Sequence, residues 1–159
     1  MTTTITAAKL TVTITESINL NGIQQGGTNT KSISSIAEIY KRIMTITTNE
    51  ATIITMSGAV ASAGHFNDSA VRYMRFTNLD GTNHVTLTFR NQDNDEFAIK
   101  VDAGNSFCIF SDNSGGMVAM FNATQDADAA SDTALGSVTN IQADAGASTV
   151  QIEMFVATT

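Results

Sequence analysis

The stretch Ala70-Val71-Arg72-Tyr73-Met74-Arg75-Phe76-Thr77-Asn78, Leu79-Asp80-Gly81-Thr82-Asn83, His84-Val85-Thr86-Leu87-Thr88-Phe89-Arg90 decides the fold class. Val71, Tyr73, Arg75 and Thr77 alternate with Arg72, Met74, Phe76 and Asn78, and Val85, Leu87 and Phe89 alternate with His84, Thr86, Thr88 and Arg90. A period of two places successive side chains on opposite faces of an extended chain, so two strands are predicted, the second with one buried face. Asp80-Gly81 between two alternating segments is a strong hairpin signal, and a hairpin is the predicted connection.

Working outward from it, Asn91 to Asp95 reads as a polar turn, and Phe97, Ile99 and Val101 resume an inward row opposite Glu96, Ala98 and Lys100. Asp102 to Asn105 turns the chain again. Phe107-Cys108-Ile109-Phe110 is apolar on both parities, as in a strand covered on both faces. Upstream, Leu10, Val12, Ile14, Ile18 and Leu20 share one parity over residues 9–20, with Lys9, Thr11, Thr13, Thr15, Ser17 and Asn19 on the other. That is a half-buried strand, and Glu16 in its apolar row predicts a bulge or a strand end. Asn21 to Asn29 reads as an exposed polar loop. Between 33 and 46 the signal is mixed, because Ile33, Ile36, Tyr40 and Ile43 stand at helical spacing while residues 39–46 alternate. The β-branched content favours a strand at about 38–47, forming a hairpin with 51–56.

Downstream, residues 117–121 read as a short strand and Ala123 to Asp132 as an acidic surface excursion. Val138 to Ala143 and Thr149 to Val156 close the chain as two strands around Asp144-Ala145-Gly146. The sum is an all-β antiparallel β-sandwich, jelly-roll-like, with about nine or ten strands and turn signals every 8–12 residues. Residues 9–159 form one domain, preceded by a Thr-rich arm at 1–8.

Composition agrees. The chain has 159 residues, 24 of them Thr, with 42% hydrophobic and only 14% charged residues, and neither Pro nor Trp. Thr is stiff at χ1 and suited to a pleated surface, whereas the Lys, Glu, Leu and Arg that build surface helices are scarce. Eight basic residues against fifteen acidic ones give a net charge of −7, with the basic residues scattered, which disfavours a nucleic-acid partner. No apolar run approaches the roughly 18–20 residues of a membrane span, and the start lacks a signal peptide's pattern, so a soluble protein made in a cytoplasm is expected. A single cysteine closes no intrachain disulfide. Without Pro to blunt sheet edges, some edges are expected to be covered by another subunit. The seven Met read chiefly as core filler, with interface packing as the other possibility.

The chemistry-bearing residues form no catalytic pattern. His65 and His84 stand alone, away from any ligand spacing. Cys108, among aromatic and aliphatic neighbours, reads as an inert core thiol. The carboxylates Asp93, Asp95, Glu96 and Asp126, Asp128, Asp132 lack the central Gly and distal Glu of a calcium loop and read as solvated turn acids. With only Tyr40 and Tyr73 beside eight Phe, the inventory for stacking sugars is thin. Gly26-Gly27 and Gly115-Gly116 are not phosphate loops, and Asn67-Asp68-Ser69 and Asn122-Ala123-Thr124 match the glycosylation pattern by chance. No residue is assigned a catalytic, cofactor or metal role, and no cofactor is expected.

The run from Val71 to Leu87, followed by Phe97-Ala98-Ile99-Lys100-Val101-Asp102-Ala103-Gly104-Asn105-Ser106-Phe107, resembles small β-rich virion structural proteins of tailed bacteriophages. In those a strand reading roughly "I-T-N-x-D-x-T-N-x-V-x-L" precedes a strand and "x-L-x-A-G-x-S-F". Lys31 to Met44 and Val150 to Thr159 resemble the same group more loosely, so the likeness spans about half the chain. It implies a structural role in the virion without placing it on the head, neck or tail. The compact sandwich, the weak charge, the Thr-rich arm and the lack of a catalytic constellation make a non-enzymatic capsid decoration or cement protein that joins major capsid subunits the first expectation. Homo-oligomers such as trimers, a partner in the major capsid protein or other virion proteins, and a place in the virion after assembly in the host cytoplasm are the matching expectations. A neck, tail or fibre-associated component and a carbohydrate-binding or adhesion module are the alternatives. On the first reading Met1 to Ala8 is a docking arm that adds a strand to a neighbour.

Overall fold

The computed structural model describes residues 6–57, 64–110 and 138–159. These residues form thirteen strands and no helix: β1 Ala8–Thr15, β2 Asn19–Leu20, β3 Ile23–Gln24, β4 Thr28–Ile36, β5 Glu38–Ile46, β6 Ala51–Ser57, β7 His65–Asn67, β8 Val71–Asn78, β9 Val85–Asn91, β10 Glu96–Val101, β11 Ser106–Phe110, β12 Val138–Ala145 and β13 Val150–Thr158. The all-β sandwich class holds, with thirteen strands rather than nine or ten. The added strands come from 21–36 and 65–67 and from the division of the expected 9–20 strand into β1 and β2, and the strand expected at 117–121 lies outside the described residues.

Two sheets face one another. One has the order β11-β8-β13-β5, the other β10-β9-β12-β6-β7. All pairs are antiparallel except β6 with β7. Set side by side, the two orders match column by column: β11 continues from β10, β8 into β9, β12 into β13 and β5 into β6. Each column is a chain that leaves one sheet, turns and enters the other, so the sandwich is a row of four arches with their connections at 47–50, 79–84, 102–105 and 146–149.

This corrects both expected hairpins. β8 pairs with β11 and β13, while β9 pairs with β10 and β12, so Leu79 to His84 crosses between sheets. β5 and β6 likewise part into different sheets. The reason at 79–84 is side-chain capping. The Asp80 carboxylate accepts the backbone N–H groups of Thr82 and Asn83 at 2.7 and 2.6 Å. The Asn78 amide, 1% exposed, donates to the carbonyls of Asn83 and Val101 at 2.8 and 3.1 Å, tying this arch to the next. Gly81 is not in the left-handed region that a two-residue hairpin loop requires. Within the sandwich the hairpin is β9–β10, where Asn91 Oδ1 accepts the N–H groups of Asp93 and Asp95 at 2.9 Å each.

Between the sheets lie Met74, Phe76, Leu87, Phe89, Ile141, Ile152 and Met154, each at most 1% exposed. Phe89 stacks on Phe97 with centroids 4.6 Å apart and meets Phe107 edge-on at 6.0 Å. Met56, Met74 and Met154 are core residues, as the reading of methionine as filler anticipated. Burying such side chains contributes about 1.5–3 kcal/mol each before entropy is counted.

Candidate assembly surface

The stretch expected as a strand and then a loop is one long two-stranded ribbon. Leu10 faces Ile33 and the pairing runs in step to Thr15 opposite Thr28. Glu16 N–H then donates to the Gly27 carbonyl at 2.8 Å and Gln25 N–H to the Ile18 carbonyl at 2.9 Å. Asn19 faces Gln24 and Leu20 faces Ile23, all in the same register. The tip is Asn21-Gly22 with φ of 53° and 80°, the left-handed pair of a type I′ loop that suits the twist of two antiparallel strands. At Gly26 an added Cβ would overlap the Glu16 carbonyl, so only glycine lets the two chains approach there. Eleven rungs at about 3.4 Å make the ribbon roughly 35 Å long.

A bulge aims the base of the ribbon. Ala8 faces Ile36 while Leu10 faces Ile33, so Lys9 stands opposite both Ser34 and Ser35, and Ser35 takes φ 63°. The extra residue turns Ile33 and Ile36 to the same side, although their spacing would put them on opposite faces of a regular strand. That is why these positions read as helix-like in the sequence. Both are buried against Tyr73 and Ala157, with Leu10, Val12 and Phe155 completing the cluster.

The surface they pack on is the outer face of the four-stranded sheet. The registers set its rows across β11, β8, β13 and β5: Phe110, Tyr73, Ala157, Ile39; then Cys108, Arg75, Phe155, Lys41; then Ser106, Thr77, Glu153, Ile43. Glu153 pairs with Lys41 at 2.9 Å and with Arg75, and the Lys41 hydrogen bond, together with the two positive charges and against the opposing effect of desolvation, holds its carboxyl below the usual range. Burial, aided by the Cys108 neighbour, pushes the Tyr73 phenol up to about 12. A groove of about 290 Å³ runs between the ribbon base and this sheet, lined by Leu10, Val12, Thr13, Tyr73, Arg75 and Phe155 among others.

Beyond its base the ribbon is bare. Leu10, Val12, Ile14, Ile18 and Leu20 share one face with Ile33 and Ile23, with Lys31 opposite Val12 at the base and Glu16, Gln25, Gly27 and Asn29 beyond it, while the opposite face is mostly Thr and Ser, with Asn19, Gln24 and Gly26 toward the tip. The first third of that apolar stripe is covered; Ile14, Ile18, Leu20 and Ile23 are 50%, 54%, 51% and 64% exposed. On the sheet, Ile39 and Ile43 of β5 are 60% and 56% exposed. These six positions are most of the large apolar side chains left exposed among the described residues, and they lie on two stripes. Nothing in the alternation of residues 9–20 shows that half of an amphipathic strand lacks a cover.

The other positions weighed from the sequence do not converge. Cys108 is not a core thiol: it stands on the outer face of the four-stranded sheet, on β11, outside the cluster that the ribbon base makes with β8 and β13, and it is exposed and accepts the Tyr73 hydroxyl at 3.6 Å. Tyr40 packs edge-on to Phe66 at 5.4 Å and Tyr73 lies under the ribbon, so neither is an open stacking platform. His65 belongs to β7, and His84 lies where a Cβ on Gly146 would overlap its ring. Glu96 pairs with Arg90 at 3.0 Å and Asp95 accepts Asn91 Nδ2 at 3.1 Å, as turn acids do. Asn67 Oδ1 accepts the Ser69 hydroxyl at 2.7 Å. Among the described residues no three of His, Cys, Asp and Glu gather as metal ligands. Asp126, Asp128, Asp132, Asn122 and Gly115-Gly116 lie outside the described residues, as do residues 1–5 of the expected arm, whose last residue, Ala8, pairs with Ile36.

No protein family matches the chain, and no curated protein matches it in sequence. A solved chain from Bacillus endospore appendages, described as a novel family of disulfide-linked pili, is similar with a TM-score of 0.43 and 14% identity over 77% of this chain and 85% of that one. A likeness at that level carries no argument.

Proposed function

We propose that this protein is a non-enzymatic structural subunit of a bacteriophage particle, a capsid decoration or cement protein that oligomerises and braces contacts between major capsid subunits. The observation that carries the assembly part is the ribbon whose apolar face is buried at its base and bare over its outer two thirds. An isolated two-stranded ribbon is marginal in water, and a bare apolar stripe on it is a surface awaiting a partner. The bacteriophage part is supported by the resemblance at Val71 to Leu87 and Phe97 to Phe107. These residues build two neighbouring arches joined through Asn78, so the likeness covers a contiguous piece of the structure rather than scattered turns.

Quantitative mass spectrometry of purified particles from the source tests this reading. About one copy per capsid subunit, or per few subunits, is the expected result. Roughly three to a few dozen copies per particle would move the protein to the neck or tail, and its absence from particles would overturn the virion reading.

A further inference from the structure

We propose that the bare outer part of the ribbon docks on the outer face of β5 in a second copy of this chain, placing Ile14, Glu16 and Ile18 against Ile39, Lys41 and Ile43. The inference rests on the reading of the protein as a self-assembling subunit and names the two surfaces that meet.

Three observations favour this pairing. First, the molecule already holds an example of it: the base of the same ribbon face, at Leu10, Val12, Ile33 and Ile36, packs on the outer face of the same sheet at Tyr73, Phe155 and Ala157. Second, the two uncovered stripes match. Each has an isoleucine, a charged residue and an isoleucine at alternate positions of one strand, about 13 Å from end to end. The central charges are opposite, so docking in either direction sets Glu16 beside Lys41. Glu153 already holds the Lys41 ammonium at 2.9 Å and also pairs with Arg75, so Glu16 would extend an alternating chain of charges. Third, within one copy both stripes remain half-exposed, so the ribbon does not cover its own β5.

Charge also argues against the simplest competitor, two ribbons face to face about a two-fold axis. The bare rungs carry Ile14, Glu16, Ile18, Leu20, Ile23, Gln25, Gly27 and Asn29 on the apolar face, with no cation. A two-fold axis centred on them would set Glu16 against Glu16, Ile18 or Gly27 of the other copy, none of them a cation, and bury a carboxylate unpaired. The proposed contact joins two different surfaces, so each copy gives one ribbon and receives one, and the arrangement closes as a ring where the rotation allows. A ribbon face about 10 Å wide is small for an interface, and ring closure gives every subunit two of them.

The test uses the purified full chain without particles, in sedimentation velocity over a concentration series. The wild type is expected to oligomerise. Ile18→Asp, on the ribbon, and Ile43→Asp, on β5, should each weaken association on the order of a hundredfold, because each buries an unpaired carboxylate. Circular dichroism of each variant checks that it folds as the wild type does. A mixture of the two variants should form a heterodimer, since one still has a sound ribbon and the other a sound β5. If Ile18→Asp is monomeric while Ile43→Asp assembles normally, the ribbon has another docking site and the proposal is overturned, though self-assembly stands. A wild type monomeric at all concentrations, or two variants that assemble as it does, also overturns it. Neither result touches the particle copy number, which judges the virion reading separately.

Discussion

The ribbon at residues 10–33 and the arch at 71–90 are two alternating segments that each contain a turn dipeptide ending in Gly, and they fold in opposite ways. Asn21-Gly22, which reads as part of a floppy loop, makes a tight two-residue turn and keeps its strands paired for eleven rungs. Asp80-Gly81, which reads as a hairpin, sits in a longer loop whose strands separate into different sheets. The difference is the number of residues between the last paired positions and what caps them. At the ribbon tip two successive residues take positive φ. In the arch, Asp80 folds the loop on its own carboxylate, and Asn78 anchors it in the core. A turn dipeptide therefore marks where a chain bends, while its neighbours decide whether the strands stay together.

Removing the anchor of the arch should have the largest effect. Asn78→Ala takes the side-chain donor away from the part-buried Asn83 carbonyl and the buried Val101 carbonyl and is expected to cost about 2–4 kcal/mol in urea unfolding, lowering the stability of the whole sandwich. A value under about 0.5 kcal/mol would mean the arches are not tied through this residue.

Paired glycine substitutions sharpen the contrast. Gly22→Ala puts a Cβ on a residue at φ 80°, so a cost of about 1 kcal/mol is expected, seen as faster amide exchange in the ribbon with the core unchanged. Gly81→Ala meets nothing within 4 Å and needs no left-handed φ, so it should be neutral within about 0.5 kcal/mol. Equal effects at both positions would erase the distinction between the two turns.

The two regions should also respond to opposite ends of the pH scale. The N–H groups of Asn83 and then Thr82 hold the Asp80 carboxyl below its ordinary value. A carboxyl lowered in the folded state stabilises above its unfolded pKa and loses that contribution as pH falls through the folded one. The melting temperature should therefore drop on acidification below about pH 4, less steeply in Asp80→Asn. Tyr73, beneath the ribbon base, is raised from 10.0 to about 12, so its contribution is whole below pH 10 and is lost as pH rises toward 12. Ribbon amides are expected to lose protection in that alkaline window, and Tyr73→Phe should abolish the step.

The smallest effect on the folded monomer is expected from Ile18→Ser. The side chain is 54% exposed and touches no part of the core, so its melting temperature should stay within about 2 °C of wild type while association weakens. A large drop in monomer stability would mean the outer ribbon is held by its own chain.

Much of this was legible in the residues. The β-branched alternation at 9–20, 71–78, 85–90 and 97–101 located the strands, and the Asn and Asp clusters located the bends. What misled were positions where spacing and face part company. Ile33 and Ile36 share a face only through the bulge at Ser34-Ser35. Cys108, set among aromatic residues, reads as buried, yet it stands on the outer face of its sheet, outside the cluster that the ribbon base makes. The candidate surface was half visible: the apolar row Leu10, Val12, Ile14, Ile18, Leu20 stood out, but its cover did not.

By itself the sequence determined that this chain is built of amphipathic strands, because a period of two and β-branched side chains are local properties that act within a few residues. Only the tertiary structure decided which strands pair, which bends become arches, and which apolar faces end inside the core or on the surface. Those outcomes depend on what lies across from each strand, on residues tens of positions away in the chain. The same stripe of side chains is core at Leu10 and Val12 and open surface at Ile14 and Ile18 because Tyr73, Phe155 and Ala157 lie under the first part and none of the described residues covers the second.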